Sequence, residues 1–109
     1  MIPLAEVLTL CGVDRDDLAL WIERRWVLPV AADGDYLFSE ADLARVQMIA
    51  EFRNDLALDD EVMPAVLGLV DQLHSTRRRF RQLVQIICEL PEEQCEAILR
   101  RLDGRGEAL

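Results

Sequence analysis

The sequence predicts a mainly α-helical fold that carries a small two-stranded β-wing. Three observations predict it: two short amphipathic segments meet at a glycine, an Asp-Gly pair separates two apolar runs, and a later segment repeats apolar residues at heptad spacing. Together they indicate a winged helix-turn-helix domain over residues 1–58, a long dimerisation helix plus a short C-terminal helix over residues 59–104, and a tail over residues 105–109.

Two short helices are predicted at the start of the chain. Residues 3–11 begin with a proline, which suits the first turn of a helix, and Gly12 ends the segment. Asp14 suits the N-cap of a second helix that runs to about Arg25. Large apolar residues recur near one face of that helix, namely Leu18, Trp21, Ile22 and Trp26. The pair is either a helix-turn-helix or an ordinary pair of packed helices.

A β-hairpin and a third helix are predicted next. Asp33-Gly34 lies between two short apolar runs, which is typical of a hairpin turn. Ser39 then suits the N-cap of a helix over about residues 40–53, and Asp42 occupies the capping-box position three residues later. The hairpin would form the wing of the domain.

A single long helix is predicted from about residue 60 to about residue 89. Its apolar residues alternate spacings of three and four, with Thr76 filling the one gap, as in helices that form a coiled coil with a partner. This apolar seam consists of Val62, Val66, Leu69, Leu73, Phe80, Leu83, Ile87 and Leu90. Pro91 then ends the helix, and a final helix is expected to stop near Asp103-Gly104.

The apolar seam favours a homodimer. One long helix cannot bury such a seam against so small a domain, so we expect two antiparallel long helices to pack together. The alternative is a monomer in which the final helix folds back on the long helix. The residues expected at the dimer interface are Val66, Leu69, Leu73, Phe80, Leu83 and Ile87.

Acidic residues dominate the first half of the chain, whose overall formal net charge is −9. Residues 1–60 contain thirteen acidic residues against five arginines, whereas residues 61–109 contain eight against seven, and there is no lysine. Proteins that bind DNA present lysine and arginine to the phosphates. An acidic wing, with Asp33 and Asp35 at its turn, therefore makes DNA binding unfavourable and a basic partner favourable.

The sequence favours a non-enzymatic cytoplasmic protein without a cofactor. It has no Gly-rich phosphate loop, and its one histidine, His74, has no obvious nucleophile or metal-ligand partners. Cys11, Cys88 and Cys95 are odd in number and widely spaced, so we expect buried apolar cysteines rather than a disulfide framework or a metal site. The apolar runs are too short for a membrane span, and no secretory signal is recognisable.

The order of elements resembles the MerR family of winged-helix regulators over about residues 3–70. The matching residues are Val7, Cys11-Gly12-Val13, Trp21-Ile22-Glu23, Val27-Leu28-Pro29, Tyr36-Leu37-Phe38-Ser39-Glu40 and Asp42-Leu43. DNA-binding members of that family carry an arginine between two aromatic residues of the wing, where this chain has Leu37. They carry another arginine in the second helix, where this chain has Leu18-Ala19-Leu20.

The residues after the wing are similar to a particular offshoot, the CbpM family of chaperone modulators. The similar segments are Phe52-Arg53-Asn54-Asp55-Leu56-Ala57-Leu58-Asp59 and Val66-Leu67-Gly68-Leu69-Val70-Asp71. This resemblance implies an adaptor that binds the J-domain of a DnaJ-like co-chaperone, CbpA, and inhibits its engagement of the DnaK-type chaperone. The second helix of a J-domain is rich in lysine and arginine, so carboxylates on the adaptor would be complementary to it.

Two acidic patches are candidate sites for that partner. The first lies around the end of the third helix and the start of the long helix and comprises Glu51, Asp55, Asp59 and Asp60. Its last two members are equally compatible with an N-cap pair. The second comprises Asp33 and Asp35 of the wing with Asp14, Asp16 and Asp17, which are also compatible with a solvated face.

Two other functions stay open. One is a MerR-like DNA-binding transcriptional regulator, for which Arg15, Arg24 and Arg25 of the second helix are the best support. The other is a ligand sensor with a pocket beside the long helix. The J-domain adaptor is favoured over the DNA-binding regulator because five arginines among thirteen acidic residues are a poor match for phosphates.

Overall fold

A computed structural model describes the backbone of residues 1–108 and the side chains of residues 1–103. In chain order the elements are β1 (Ile2–Pro3), α1 (Leu4–Cys11), α2 (Arg15–Glu23), β2 (Val30–Ala32), β3 (Asp35–Phe38), α3 (Glu40–Asn54), α4 (Met63–Cys88) and α5 (Glu92–Ala108). The predicted mainly α-helical fold with a helix-turn-helix and a β-wing is confirmed. The chain divides into two compact units, an N-terminal unit (Met1–Leu67) and a C-terminal unit that starts at Gly68.

The sheet has three antiparallel strands, in the order β1-β3-β2, instead of the two predicted. Asp33 and Gly34 join β2 to β3 with φ angles of 49° and 79°, the left-handed conformation that Asp-Gly adopts in a tight hairpin. The unpredicted strand β1 pairs with the other edge of β3, Ile2 opposite Phe38 and Pro3 opposite Leu37. Pro3 was expected inside the first helix. It lies on an edge strand, where its missing N–H costs nothing.

The ends of the first two helices follow from backbone conformation. Gly12 is left-handed with φ 62° and donates its N–H to Leu8 O, which closes α1 as predicted. Helix α2 ends at Glu23, slightly before the expected end, because Arg25 is left-handed with φ 63°. The Trp26 N–H then donates to Trp21 O at 2.9 Å, which satisfies a carbonyl at the end of the helix.

Helix α3 begins with the predicted capping box. The Ser39 hydroxyl accepts a hydrogen bond from the Asp42 N–H at 3.0 Å, and the Asp42 carboxylate accepts one from the Ser39 N–H at 3.0 Å. Two backbone donors that the helix itself leaves unpaired are thereby satisfied. The cap also fixes the start of α3 directly after the wing.

Replacing the cap gives a first testable prediction. We expect Ser39→Ala to lower the free energy of unfolding by about 0.5–2 kcal/mol, because the Asp42 N–H loses its acceptor. Urea unfolding followed by circular dichroism measures the loss. Ser39→Asp is the matched control, since aspartate also accepts at an N-cap and should retain most of the stability. Equal stability of Ser39→Ala and the wild type would contradict the role of the cap.

The core of the N-terminal unit consists of residues from helices, from strand β3 and from the segment that follows α2. Its buried residues are Val7, Leu18, Trp21, Trp26, Val27, Phe38, Val46, Ile49, Ala50, Met63 and Leu67. The two tryptophans were expected there from their helical spacing. Helix α4 supplies Met63 and Leu67, so its first turns complete the N-terminal core. This packing holds the helix-turn-helix and the wing as one body.

The long helix starts later and the last helix ends later than predicted. Helix α4 begins at Met63 because residues 60–62 form a turn in front of it. Helix α5 continues to Ala108, past the expected stop at Asp103-Gly104, and a glycine inside a helix costs only about 1 kcal/mol relative to alanine. The predicted tail is therefore helical through Ala108, and Leu109 lies outside the described residues. No helix within residues 1–108 has the length and apolar character needed to cross a membrane.

Candidate protein-binding site

Two of the predicted acidic residues, Glu51 and Asp55, line an open cleft of about 390 Å³ in the N-terminal unit. The cleft lies between the end of α1 and the end of α3. Its walls are formed by Leu10, Cys11, Gln47, Ala50, Glu51, Asn54 and Asp55. The α3 members follow Gln47 at intervals of three, four and seven residues and therefore share one face of that helix, and Asp55 directly follows its last residue. We call this feature the acidic cleft.

The carboxylates of the acidic cleft are available to a partner. The Asp55 N–H donates to Glu51 O at 2.8 Å, which places the two residues one helical turn apart. Both side chains are exposed, and among residues 1–103 the structure gives neither of them a salt bridge. A cationic side chain that enters the cleft would therefore not have to displace an existing ion pair.

Helix α1 contributes apolar atoms to the acidic cleft through Leu10 and Cys11. Leu10 is 54% exposed and Cys11 is half-buried. Burial raises the pKa of the Cys11 thiol, so this side chain is neutral near pH 7. Lysine and arginine combine a charged end with an aliphatic stem. The acidic cleft offers a surface for each part, carboxylates from α3 and the residue that follows it, and apolar atoms from α1.

The other two members of the first predicted patch have structural partners. Asp59 accepts hydrogen bonds from the backbone N–H groups of Glu61 at 3.1 Å and Val62 at 3.0 Å, so it caps the turn before α4. Asp60 Oδ2 lies 3.3 Å from Arg24 Nη1. The sequence left capping and partner contact open for these residues. The structure shows the cap at Asp59 and an ion pair at Asp60.

The second predicted patch is divided between the wing and α2. Asp33 and Asp35 are exposed at the hairpin turn, and Asp35 accepts a hydrogen bond from the Tyr36 N–H at 2.8 Å. Asp17 forms a salt bridge of 2.7 Å with Arg53 of α3. The wing thus presents negative charge to solvent, whereas Asp17 joins α2 to α3.

Three of the five arginines in residues 1–60 are already engaged, one at the end of α2 and two on α3. Arg24 pairs with Asp60, and its guanidinium lies 5.3 Å from the centre of the Trp26 ring. Arg45 Nε donates to the backbone carbonyl of Trp26, and Arg53 pairs with Asp17. Sequence reasoning missed both salt bridges and the Arg45 hydrogen bond because each of them joins residues far apart in the chain. A DNA phosphate would have to compete with carboxylates for Arg24 and Arg53.

The six residues predicted at a dimer interface all lie on α4. Leu69, Leu73, Phe80 and Leu83 are each at least half exposed, and Val66 and Ile87 are half-buried. The helix therefore carries a row of large apolar side chains that are accessible to a partner. Rows of this size are unusual on the surface of a monomer.

The cysteines are more accessible than expected. Cys88 is exposed, so the prediction of buried cysteines is wrong for it, whereas Cys11 and Cys95 are half-buried. Their burial depends on tertiary packing, which their position in the sequence does not reveal. Among the residues that the structure describes, no three or more His, Cys, Asp or Glu side chains form a group that would hold a metal ion.

The sequence matches the model of a family described as MerR HTH family regulatory protein over residues 2–85. The match runs from β1 through most of α4 and thus includes the helix-turn-helix, the wing and most of the apolar seam. Comparison with curated proteins and with solved structures gives no match.

Proposed function

The chain belongs to the MerR family of helix-turn-helix regulatory proteins, and from this premise we propose that it is a non-enzymatic chaperone modulator in the cytoplasm. It binds the J-domain of a DnaJ-like co-chaperone and inhibits engagement of the DnaK-type chaperone. The observation that carries this proposal is the acidic cleft, whose Glu51 and Asp55 carboxylates lie beside apolar atoms of α1. The resemblance of residues 52–59 and 66–71 to chaperone modulators supplies the class of partner.

Electrostatic complementarity supports a basic helix as the ligand. Residues 1–60 carry thirteen acidic residues against five arginines, so the field around the N-terminal unit attracts cations and repels nucleic acid. Two exposed leucines lie near the acidic residues: Leu10 lines the acidic cleft, and Leu56 directly follows Asp55 in the chain. An apolar anchor surrounded by charges is the usual anatomy of a protein interface. Charge would direct the encounter, and the leucines would add buried apolar area.

A DNA-binding regulator is the second candidate. The family match and the helix-turn-helix with its wing favour it. Exposed Arg15 at the start of α2 would be the first residue to contact a phosphate. Against it, Asp33 and Asp35 occupy the turn of the wing, and Arg24 is paired with Asp60. We therefore place DNA binding second.

One pair of measurements separates the two candidates. The purified protein is titrated calorimetrically with the J-domains of its own cell at low and moderate salt, and promoter DNA is tested in a gel shift. We expect micromolar or tighter J-domain binding that weakens with salt, and no DNA retention. In an ATPase assay, adding the protein should lower the J-domain-stimulated activity of the DnaK-type chaperone. The activity of the chaperone without the J-domain is the control and should not change. No heat with any J-domain, together with retention of DNA, would establish the regulator instead.

We also propose that the protein is a homodimer through the apolar seam of α4. Phe80→Glu should convert the dimer to a monomer because it places a charge at an exposed position of the seam. Gln85→Glu is the matched control, since it adds the same charge to α4 outside the seam. Light scattering after gel filtration measures the mass, against a chain mass of 12.5 kDa. A wild-type mass of one chain would contradict the dimer.

A further inference from the structure

Two thiols face each other where α4 gives way to α5. The Cys88 and Cys95 sulfur atoms are 3.5 Å apart, and Cys95 donates a hydrogen bond to Cys88. Cys88 is the last residue of α4 and is exposed, whereas Cys95 lies in the second turn of α5 and is half-buried. The function proposed above uses neither of them.

Backbone hydrogen bonds hold this arrangement. The N–H groups of Glu89 and Leu90 donate to Ile86 O and Ile87 O at 3.1 and 3.0 Å, which tightens the end of α4. Pro91 has no N–H with which to extend that helix. Its carbonyl instead accepts from the Cys95 N–H at 3.0 Å, which starts α5. The chain reversal is therefore fixed by residues other than the two cysteines.

We propose that Cys88 and Cys95 are a redox modification site that closes into a reversible disulfide when hydrogen peroxide is the oxidant. The exposed Cys88 thiol loses its proton, and the thiolate sulfur attacks one peroxide oxygen. The O–O bond breaks, the other oxygen leaves as hydroxide and takes up that proton to become water, and Cys88 becomes a sulfenic acid. The Cys95 thiol loses its proton, and its sulfur attacks the sulfenic sulfur, which releases hydroxide; the hydroxide takes up the Cys95 proton to give a second water. The two thiols together lose two protons and two electrons, and the peroxide takes up both to become two waters.

The geometry favours this pair over any pairing with Cys11. A disulfide is about 2.05 Å long, so the Cys88 and Cys95 sulfurs need to move only a short way from 3.5 Å. The two residues are seven positions apart, so the disulfide would close a short loop at a small cost in chain entropy. Cys11 is half-buried in the N-terminal unit, and burial raises the pKa of its thiol. We expect Cys88 to react with peroxide before Cys95, because the hydrogen bond to Cys88 raises the pKa of the Cys95 thiol.

Trypsin separates the cysteines in a useful way. No arginine or lysine lies between Arg81 and Arg100, so Cys88 and Cys95 are released together in peptide 82–100, while Cys11 is released in peptide 1–15. The whole protein is treated with hydrogen peroxide, its remaining thiols are alkylated, and the unreduced digest is analysed by mass spectrometry. We expect peptide 82–100 unalkylated and lighter by two hydrogen atoms, with peptide 1–15 alkylated. Dithiothreitol should restore two alkylatable thiols in peptide 82–100.

Variants complete the test. Cys88→Ser and Cys95→Ser should each abolish the mass loss, and Cys11→Ser should preserve it. Four results would overturn the proposal: both cysteines of peptide 82–100 still alkylated, both converted to higher acids, a cross-link from that peptide to peptide 1–15, or a cross-link between two copies of it. Each of these is distinguished by mass alone.

Discussion

Phe38→Ala is expected to lower the free energy of unfolding of the N-terminal unit by about 3–5 kcal/mol, the usual cost of removing a buried aromatic ring. Phe38 is fully buried and lies on the central strand β3, opposite Ile2. Truncation leaves a cavity in a core that α1, α2 and α3 share. Since small domains are stable by only about 5–15 kcal/mol, a large part of the stability would be lost. Urea unfolding measured by tryptophan fluorescence reports it.

Tyr36→Ala is the control for that experiment. Tyr36 is an aromatic residue on the same strand, but it is exposed. Its truncation should cost less than about 1 kcal/mol, as surface substitutions usually do. Similar losses for the two variants would show that Phe38 contributes through the strand rather than through the core.

The second large effect is expected at the acidic cleft. Glu51→Arg/Asp55→Arg should weaken J-domain binding about a hundredfold, equivalent to about 2.7 kcal/mol, because like charges would face the basic helix. Both side chains are exposed, so the fold should survive the exchange. Calorimetric titration gives the affinity, and far-ultraviolet circular dichroism checks the helices.

Asp33→Arg/Asp35→Arg is the matched control for the cleft variant. It changes the net charge by the same amount at the wing, so any general effect of charge on the affinity is the same in both proteins. The cleft variant should bind much more weakly than the wing variant. If the wing variant binds as weakly or more weakly, the second acidic patch is the site. Asp59 and Asp60 are poorer targets for reversal, because one caps a turn and the other pairs with Arg24.

Features that depend on near neighbours in the chain were predictable from the sequence. The capping box of Ser39 and Asp42, the hairpin turn at Asp33-Gly34 and the end of α1 at Gly12 all formed as expected. Each depends on a contact between residues at most four positions apart in the chain. Strand β1 was missed because it is two residues long and its partner, β3, is more than thirty residues away.

The candidate site was predictable only in part, for the same reason. Glu51 and Asp55 were placed together because both lie near the predicted end of the third helix. The apolar wall of Leu10 and Cys11 required the packing of α1 near α3. The pairing of Asp60 with Arg24 also required the tertiary fold. The contact of the two cysteines across Pro91 depended on a chain reversal whose geometry the sequence did not specify.

The division of α4 between two units has a consequence for amide hydrogen exchange. Met63 and Leu67 are buried in the N-terminal core, whereas the helix from Gly68 onward belongs to the other unit. Amide protons exchange through the least costly opening that exposes them. Those near Leu67 should therefore report the opening of the N-terminal core, and those beyond Gly68 the opening of the second unit. Protection of the later amides alone should rise with protein concentration if two chains associate. Amide exchange along this one helix would then measure the opening of the N-terminal core and the association of two chains separately, in the unmodified protein.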